Sequence, residues 1–201
     1  MQLQKKVFPW LMWLLPLTFF AFQFILRLFP ALIKEELFEK FAIDATAFGT
    51  FAAMYYLGYA GMQIPIAMLL DKWGPRWVVG LSIVTCAFAC WLLMTTSFWP
   101  LALLSRFLLG VGSVVGFLGA SKVISQWFSS ERYGRMVGLT FSFGLIGALY
   151  GGRPVSMMID NMGWRSVLSL FIGLSLSLAL LVFIFLKQPK NQTQSKEEKV
   201  S

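Results

Sequence analysis

The chain has 201 residues, of which 58% are hydrophobic and 13% charged, with a formal charge of +8, no histidine and two cysteines. A soluble domain of this size does not need so much apolar surface. With no histidine, and with Cys86 and Cys90 inside one apolar run, little material is left for a metal site, a disulfide framework or Cys-His chemistry.

The basic excess does not form one face, as a nucleic-acid site would require. It falls in short gaps between apolar runs and in a C-terminal tail, which is a membrane-topology pattern. No nucleic-acid partner is expected. The lipid bilayer is.

A bilayer core takes about 20 helical residues, and six apolar runs reach that scale: 9–33, 46–70, 77–96, 101–126, 136–159 and 166–186. They are continuous and do not alternate, so helices are predicted and a β-barrel is disfavoured. The first run exceeds the roughly 7 to 15 residues of a signal-peptide core and lacks a small-residue cleavage site, so it reads as a true span. The fold class is therefore all-α membrane protein, with residues 1–186 as one six-helix transmembrane bundle. Residues 187–201 are a polar cytoplasmic tail, expected to be disordered and to act as a solubilising end.

Lys5, Lys6, Lys72, Arg76, Arg132, Arg135, Lys187, Lys190, Lys196 and Lys199 lie on the side of the N-terminus, against Lys34, Lys40 and Arg165 on the other. The positive-inside rule then puts both termini in the cytoplasm of a cell membrane, expected to be a bacterial inner membrane. The sequon Asn191-Gln192-Thr193 consequently faces the wrong side for glycosylation.

In chain order, the first span carries Phe20, Gln23 and Arg27 at i, i+3 and i+7, on one helical face. At about 1.5 Å per residue, Arg27 lies roughly 10 Å from the outer end of its span. The second span offers Tyr55, Tyr56 and Tyr59, of which Tyr55 and Tyr59 are ranked as solute contacts. A short loop, "DKWGPR", follows at 71–76. Asp71 ends a helix whose dipole disfavours a carboxylate there, so it needs a cationic partner.

The fourth span carries Arg106 and, near its cytoplasmic end, Lys122, which is expected to snorkel. The fifth carries Arg153. Arg27, Arg106 and Arg153 fall at a similar depth, while every Asp and Glu lies in a loop or the tail. Intramembrane cations without carboxylates suggest a cavity for an anion, because guanidinium recognises carboxylate or phosphate bidentately. Glycine-rich stretches in the fourth and fifth spans permit close helix packing.

Three stretches carry a family resemblance. "AMLLDKWGPR" (67–76) resembles the loop between the second and third helices of major facilitator transporters, with Asp71, Lys72, Gly74 and Arg76 matching, Ala67 in place of the usual glycine and Pro75 interrupting a basic pair. "RFLLGVG" (106–112) resembles that family's Arg-x-x-x-Gly-x-Gly in the fourth helix, and "GWRSVLSLF" (163–171) its Gly-Trp-Arg entry to the sixth. "FQFILRLFPALI" is also similar to the first-helix arginine segment of the organophosphate antiporters among them.

The resemblance implies six helices as 3+3 inverted repeats, half of a major facilitator fold, with the first and fourth helices lining a central cavity. It implies that Asp71, Lys72, Gly74 and Arg76 form a conformational latch, Asp71 engaging a nearby arginine and a helix N-terminus in an opposite half. The expected function is transport of a small anionic organic solute by alternating access. Gln23, Arg27, Arg106, Arg153, Tyr55 and Tyr59 are the expected substrate contacts, with no cofactor and no enzyme chemistry. A second six-helix half is expected as partner, either another copy or a separate chain. The competing readings are a truncated or split-gene remnant, and a structural or regulatory membrane subunit without transport of its own.

Overall fold

The computed structural model describes residues 2–187 and 189, with backbone alone for 2–7. Most of the polar tail, including its sequon, Lys190, Lys196 and Lys199, lies outside the described residues. Among the described residues, ten helices follow one another: α1 (Gln2–Leu32), α2 (Lys34–Phe41), α3 (Ala45–Gly61), α4 (Gln63–Trp73), α5 (Pro75–Thr95), α6 (Trp99–Ser113), α7 (Val115–Trp127), α8 (Ser130–Tyr150), α9 (Arg153–Met162) and α10 (Trp164–Phe185).

Among the described residues, four stretches are long and apolar enough to cross a membrane: Phe8–Leu32, Pro75–Thr95, Trp99–Trp127 and Trp164–Phe185. Helices α3 and α4 pass the same test together, bent by 45° at the break between them. The predicted run 136–159 is divided. Gly151 and Gly152 stop α8, Arg153-Pro154 opens α9, and the charged residues Glu131, Arg132 and Arg135 occupy the first turns of α8. Neither piece is long and apolar enough by itself.

Local chemistry fixes these boundaries. Asp44 caps α3, its Oδ1 accepting from the Ala47 N–H at 2.8 Å, which satisfies one of the free donors of the first turn. Gly74 separates α4 from α5 with φ 79° and ψ 166°, and Gly163 separates α9 from α10 with φ 79° and ψ 149°. At positive φ a side chain would be strained, so glycine suits both turns.

The two corners share more than that angle. Pro65, Asp71, Gly74 and Arg76 stand in the same register as Pro154, Asp160, Gly163 and Arg165. The bent pair α3–α4 and the divided pair α8–α9 therefore end alike, each followed by a long apolar helix.

Packing brings α5 against α10 and α6, α3 against α6, and α1 against α8 and α7. Several contacts are made backbone to backbone, with Gly58 of α3 against the Phe107 carbonyl oxygen among them. A Cβ added at Gly110 of α6 would collide with the Tyr55 carbonyl oxygen of α3, and one at Gly147 of α8 with the Ala21 carbonyl oxygen of α1. Small residues at such points let helices approach where lipid gives no hydrophobic drive for association.

Two polar contacts tie helices together. Trp13 Nε1 donates to Thr140 Oγ1 at 3.0 Å, tying α1 to α8. At the end of α5, Lys40 Nζ donates to the Leu93 and Met94 carbonyls at 2.9 and 3.0 Å. A cation there satisfies exposed carbonyls and meets the negative end of the helix dipole. Burial, and then the Arg165 charge, hold the Lys40 ammonium below the usual lysine range. Short helix α2, which brings Lys40 to this place, is anchored by the fully buried Leu37.

Candidate functional site

On α1, Gln23 and Arg27 reach α3, while Phe20 on the same helical face packs against Phe117 of α7 and Phe141 of α8. Gln23, only 2% exposed, accepts from the Tyr55 hydroxyl at 3.0 Å. One turn further on, half-buried Arg27 donates from Nη2 to the Tyr56 hydroxyl oxygen at 2.8 Å. Its guanidinium carbon also lies 5.0 Å from the Tyr56 ring centre and 5.7 Å from that of Tyr55. These are cation–π distances, and they offset part of the cost of holding a cation away from bulk water.

Arg106 of α6 is 6% exposed and donates from Nη2 to the backbone carbonyl of Arg27 at 2.9 Å. Its Nε and Nη1 are buried without a hydrogen-bond partner. The guanidinium rests over Tyr55 and Phe51, at 4.8 and 5.6 Å from their ring centres.

Arg27 and Arg106 open together onto a cavity of about 370 Å³, walled further by Phe24, Phe48, Phe51, Ala52 and Tyr56, among others. Among the described residues, no acidic side chain lines it. Two cations in an apolar setting, unmatched by carboxylate, form a region of positive potential with donor groups to spare. Chemically, it can receive an anion.

The other predicted contacts are placed elsewhere. Tyr55 is 1% exposed, tucked beneath Arg106 and bonded to Gln23, so both residues support the guanidiniums from behind and do not line the cavity. Tyr59 is half-buried and stacked on Tyr55, 6.0 Å between centres. Arg153 is exposed at the first turn of α9 and is not part of the cavity wall, because the break at Gly151–Gly152 starts a new helix at that residue. The expected set of three cations thus reduces to two here.

The residue that sequence reasoning ranked too low is Tyr56. Successive residues on a helix point about 100° apart. With Tyr55 turned into the bundle against α6, its neighbour Tyr56 is carried round to face α1 and the cavity.

Near the end of α4, the Asp71 carboxylate meets Lys122 of α7. Lys122 Nζ of α7 stands 2.7 Å from Asp71 Oδ1, with the two side chains 30% and 70% exposed respectively. Lys122 was expected to snorkel; the packing of α4 on α7 supplies it with a carboxylate. Lys72 and Arg76 are exposed, Arg76 lying 5.9 Å from the ring of Trp77.

Long apolar helices bent at glycine, packed backbone to backbone around a cationic cavity, define a multi-pass helical membrane protein. Comparison with known families places it further. The profile of the Major Facilitator Superfamily matches residues 12–201, and the chain belongs to that family. It is 31% identical over 135 residues to an uncharacterized transporter, YybO, of Bacillus subtilis, covering 67% of this chain and 31% of that protein. It is 30% identical over 149 residues to a probable L-galactonate transporter of Escherichia coli, covering 71% and 32%. A probable anion transporter of Oryza sativa is 32% identical over 142 residues, covering 70% and 33%. The matched stretch spans about a third of the length of these relatives.

Proposed function

We propose that this chain contributes one half of a transporter that moves a small organic anion by alternating access. The observation that carries the reading is the pairing of Arg27 with Arg106 on one cavity that no carboxylate lines. Relatives named as transporters, one for an anion and one for the sugar acid L-galactonate, favour the same class of cargo.

In this reading the chain crosses the membrane six times as two inverted repeats of three, with both termini cytoplasmic. Support comes from the matching corners at Asp71-x-x-Gly74-x-Arg76 and Asp160-x-x-Gly163-x-Arg165. The packing agrees too, since α3 meets α6 as α8 meets α1. The opposing wall of the cavity belongs to a second six-helix unit beyond these 201 residues, because a midplane site in this family forms between two halves. Arg27 makes the first contact with the anion. Arg106 stands behind it, and the corner of Asp71, Lys72, Gly74 and Arg76 latches one end state. Arg153 serves the solute only in a conformation that turns α9 toward the cavity.

Uptake of organic anions by the reconstituted assembly tests this reading. Arg27→Ala should abolish uptake while membrane insertion stays intact. Undiminished uptake in that variant refutes the assignment.

A further inference from the structure

We infer that the anion is a monocarboxylate with an apolar body of the aromatic-acid type, and not a polyhydroxylated acid or a phosphate; this rests on the anion-site reading above. The polar groups that this half brings to the cavity are Arg27, Arg106 and the Tyr56 hydroxyl. Phe24, Phe48, Phe51, Ala31, Ala52 and Ala148 make up most of the remaining wall. These residues lie on helices, whose interior N–H groups are spent on the helical ladder and leave the wall without free backbone donors.

A hydroxylated body would set each hydroxyl against phenyl or methyl groups and forfeit its hydrogen bonds with water. A planar ring would instead gain edge and face contacts with the phenylalanines. The Tyr56 oxygen already accepts from Arg27, so its remaining O–H can serve one carboxylate oxygen.

Charge points the same way. Arg106 has Nη2 engaged on the Arg27 carbonyl and its other two nitrogens buried. That leaves Arg27 as the accessible guanidinium. One guanidinium matches one carboxylate bidentately, whereas a phosphate dianion calls for a second cation. The volume, about 370 Å³ on this half alone, is ample for a small acid.

The test uses the reconstituted assembly in lipid nanodiscs and measures equilibrium binding of benzoate, gluconate and inorganic phosphate. Benzoate should bind at least about tenfold tighter than the other two, a difference of about 1.4 kcal/mol. Arg27→Ala should remove that binding, and Arg27→Lys should restore part of it, which separates a lost contact from a misfolded protein. Phe48→Ser should weaken benzoate severalfold and leave gluconate unchanged; equal loss of both overturns the ring contact. Gluconate or phosphate binding as tightly as benzoate, in an Arg27-dependent manner, overturns the apolar body and leaves the anion site standing. Absence of Arg27-dependent binding for all three probes overturns both.

Discussion

Arg106 of α6 hydrogen-bonds the backbone carbonyl of Arg27 in α1, 2.9 Å away, so the two cations of the cavity are joined through main chain and not through a shared counter-ion. The contact draws one guanidinium back into the bundle and leaves the other forward. Movement of α1 against α6 would change how far Arg106 reaches into the cavity.

This geometry separates stability from function at Arg106. Its charge is buried, with two donors lacking partners, and replacing a poorly compensated buried ion by an apolar side chain of similar length is often neutral or stabilising by about 1 to 4 kcal/mol. Arg106→Met should therefore leave the thermal unfolding temperature in detergent unchanged or higher, while anion uptake falls at least tenfold, a factor worth about 1.4 kcal/mol. Calorimetry and uptake on one preparation check both halves of the statement.

The Asp71–Lys122 pair invites the opposite comparison. Its carboxylate is largely exposed, so the pair's contribution to stability should be small, under about 1 kcal/mol and reduced further by salt. Asp71→Asn and Lys122→Gln, singly and together, should unfold at nearly the wild-type temperature. If the corner acts as a latch, both single variants should slow transport in the reconstituted assembly, and the double variant should cost less than the sum of the two. Additive effects would show that the residues act independently.

Close helix approach gives a third expectation. At Gly110 and Gly147 an added methyl group meets a backbone oxygen of the facing helix, which cannot rotate away. Gly110→Ala and Gly147→Ala should each destabilise the protein by about 1 to 3 kcal/mol, as overpacking does elsewhere. Gly138→Ala, on the same helix as Gly147, meets nothing within 4 Å and should be neutral or mildly stabilising. Parallel thermal-shift measurements on the three variants check the contrast.

Legibility in the sequence followed how local each signal was. Long apolar runs became α1, α5, α6 with α7, and α10 because a bilayer demands an uninterrupted helix of sufficient length, and composition alone reports that. Helix α2 was not foreseen: it is a short piece whose burial rests on Leu37 and whose purpose, placing Lys40 at the end of α5, is tertiary. The division at Gly151–Gly152 was written in the sequence as a glycine pair before Arg153-Pro154, but hydropathy averaged across it and kept Arg153 inside a span.

Within the site, Arg27 and Arg106 were legible because a charge in an apolar run is costly and so needs a reason. The supporting parts were not. Whether Gln23 faces the cavity or Tyr55, whether Tyr55 or Tyr56 faces Arg27, and which cation meets Asp71 all depend on helix rotation and on neighbours distant in sequence. Periodicity within one helix fixes which residues share a face. It does not say what that face touches.

The central claim is that Arg27 and Arg106 look onto an aqueous cavity of positive potential. Cysteine accessibility at Ala52, on the wall of that cavity, tests it most directly, since native Cys86 and Cys90 are buried and contribute little background. In membranes, Ala52→Cys should react with an anionic, membrane-impermeant thiol reagent, and faster than with a cationic reagent of the same size. Reaction with lipid-soluble maleimides alone, or equal rates for the two charged reagents, would contradict the account.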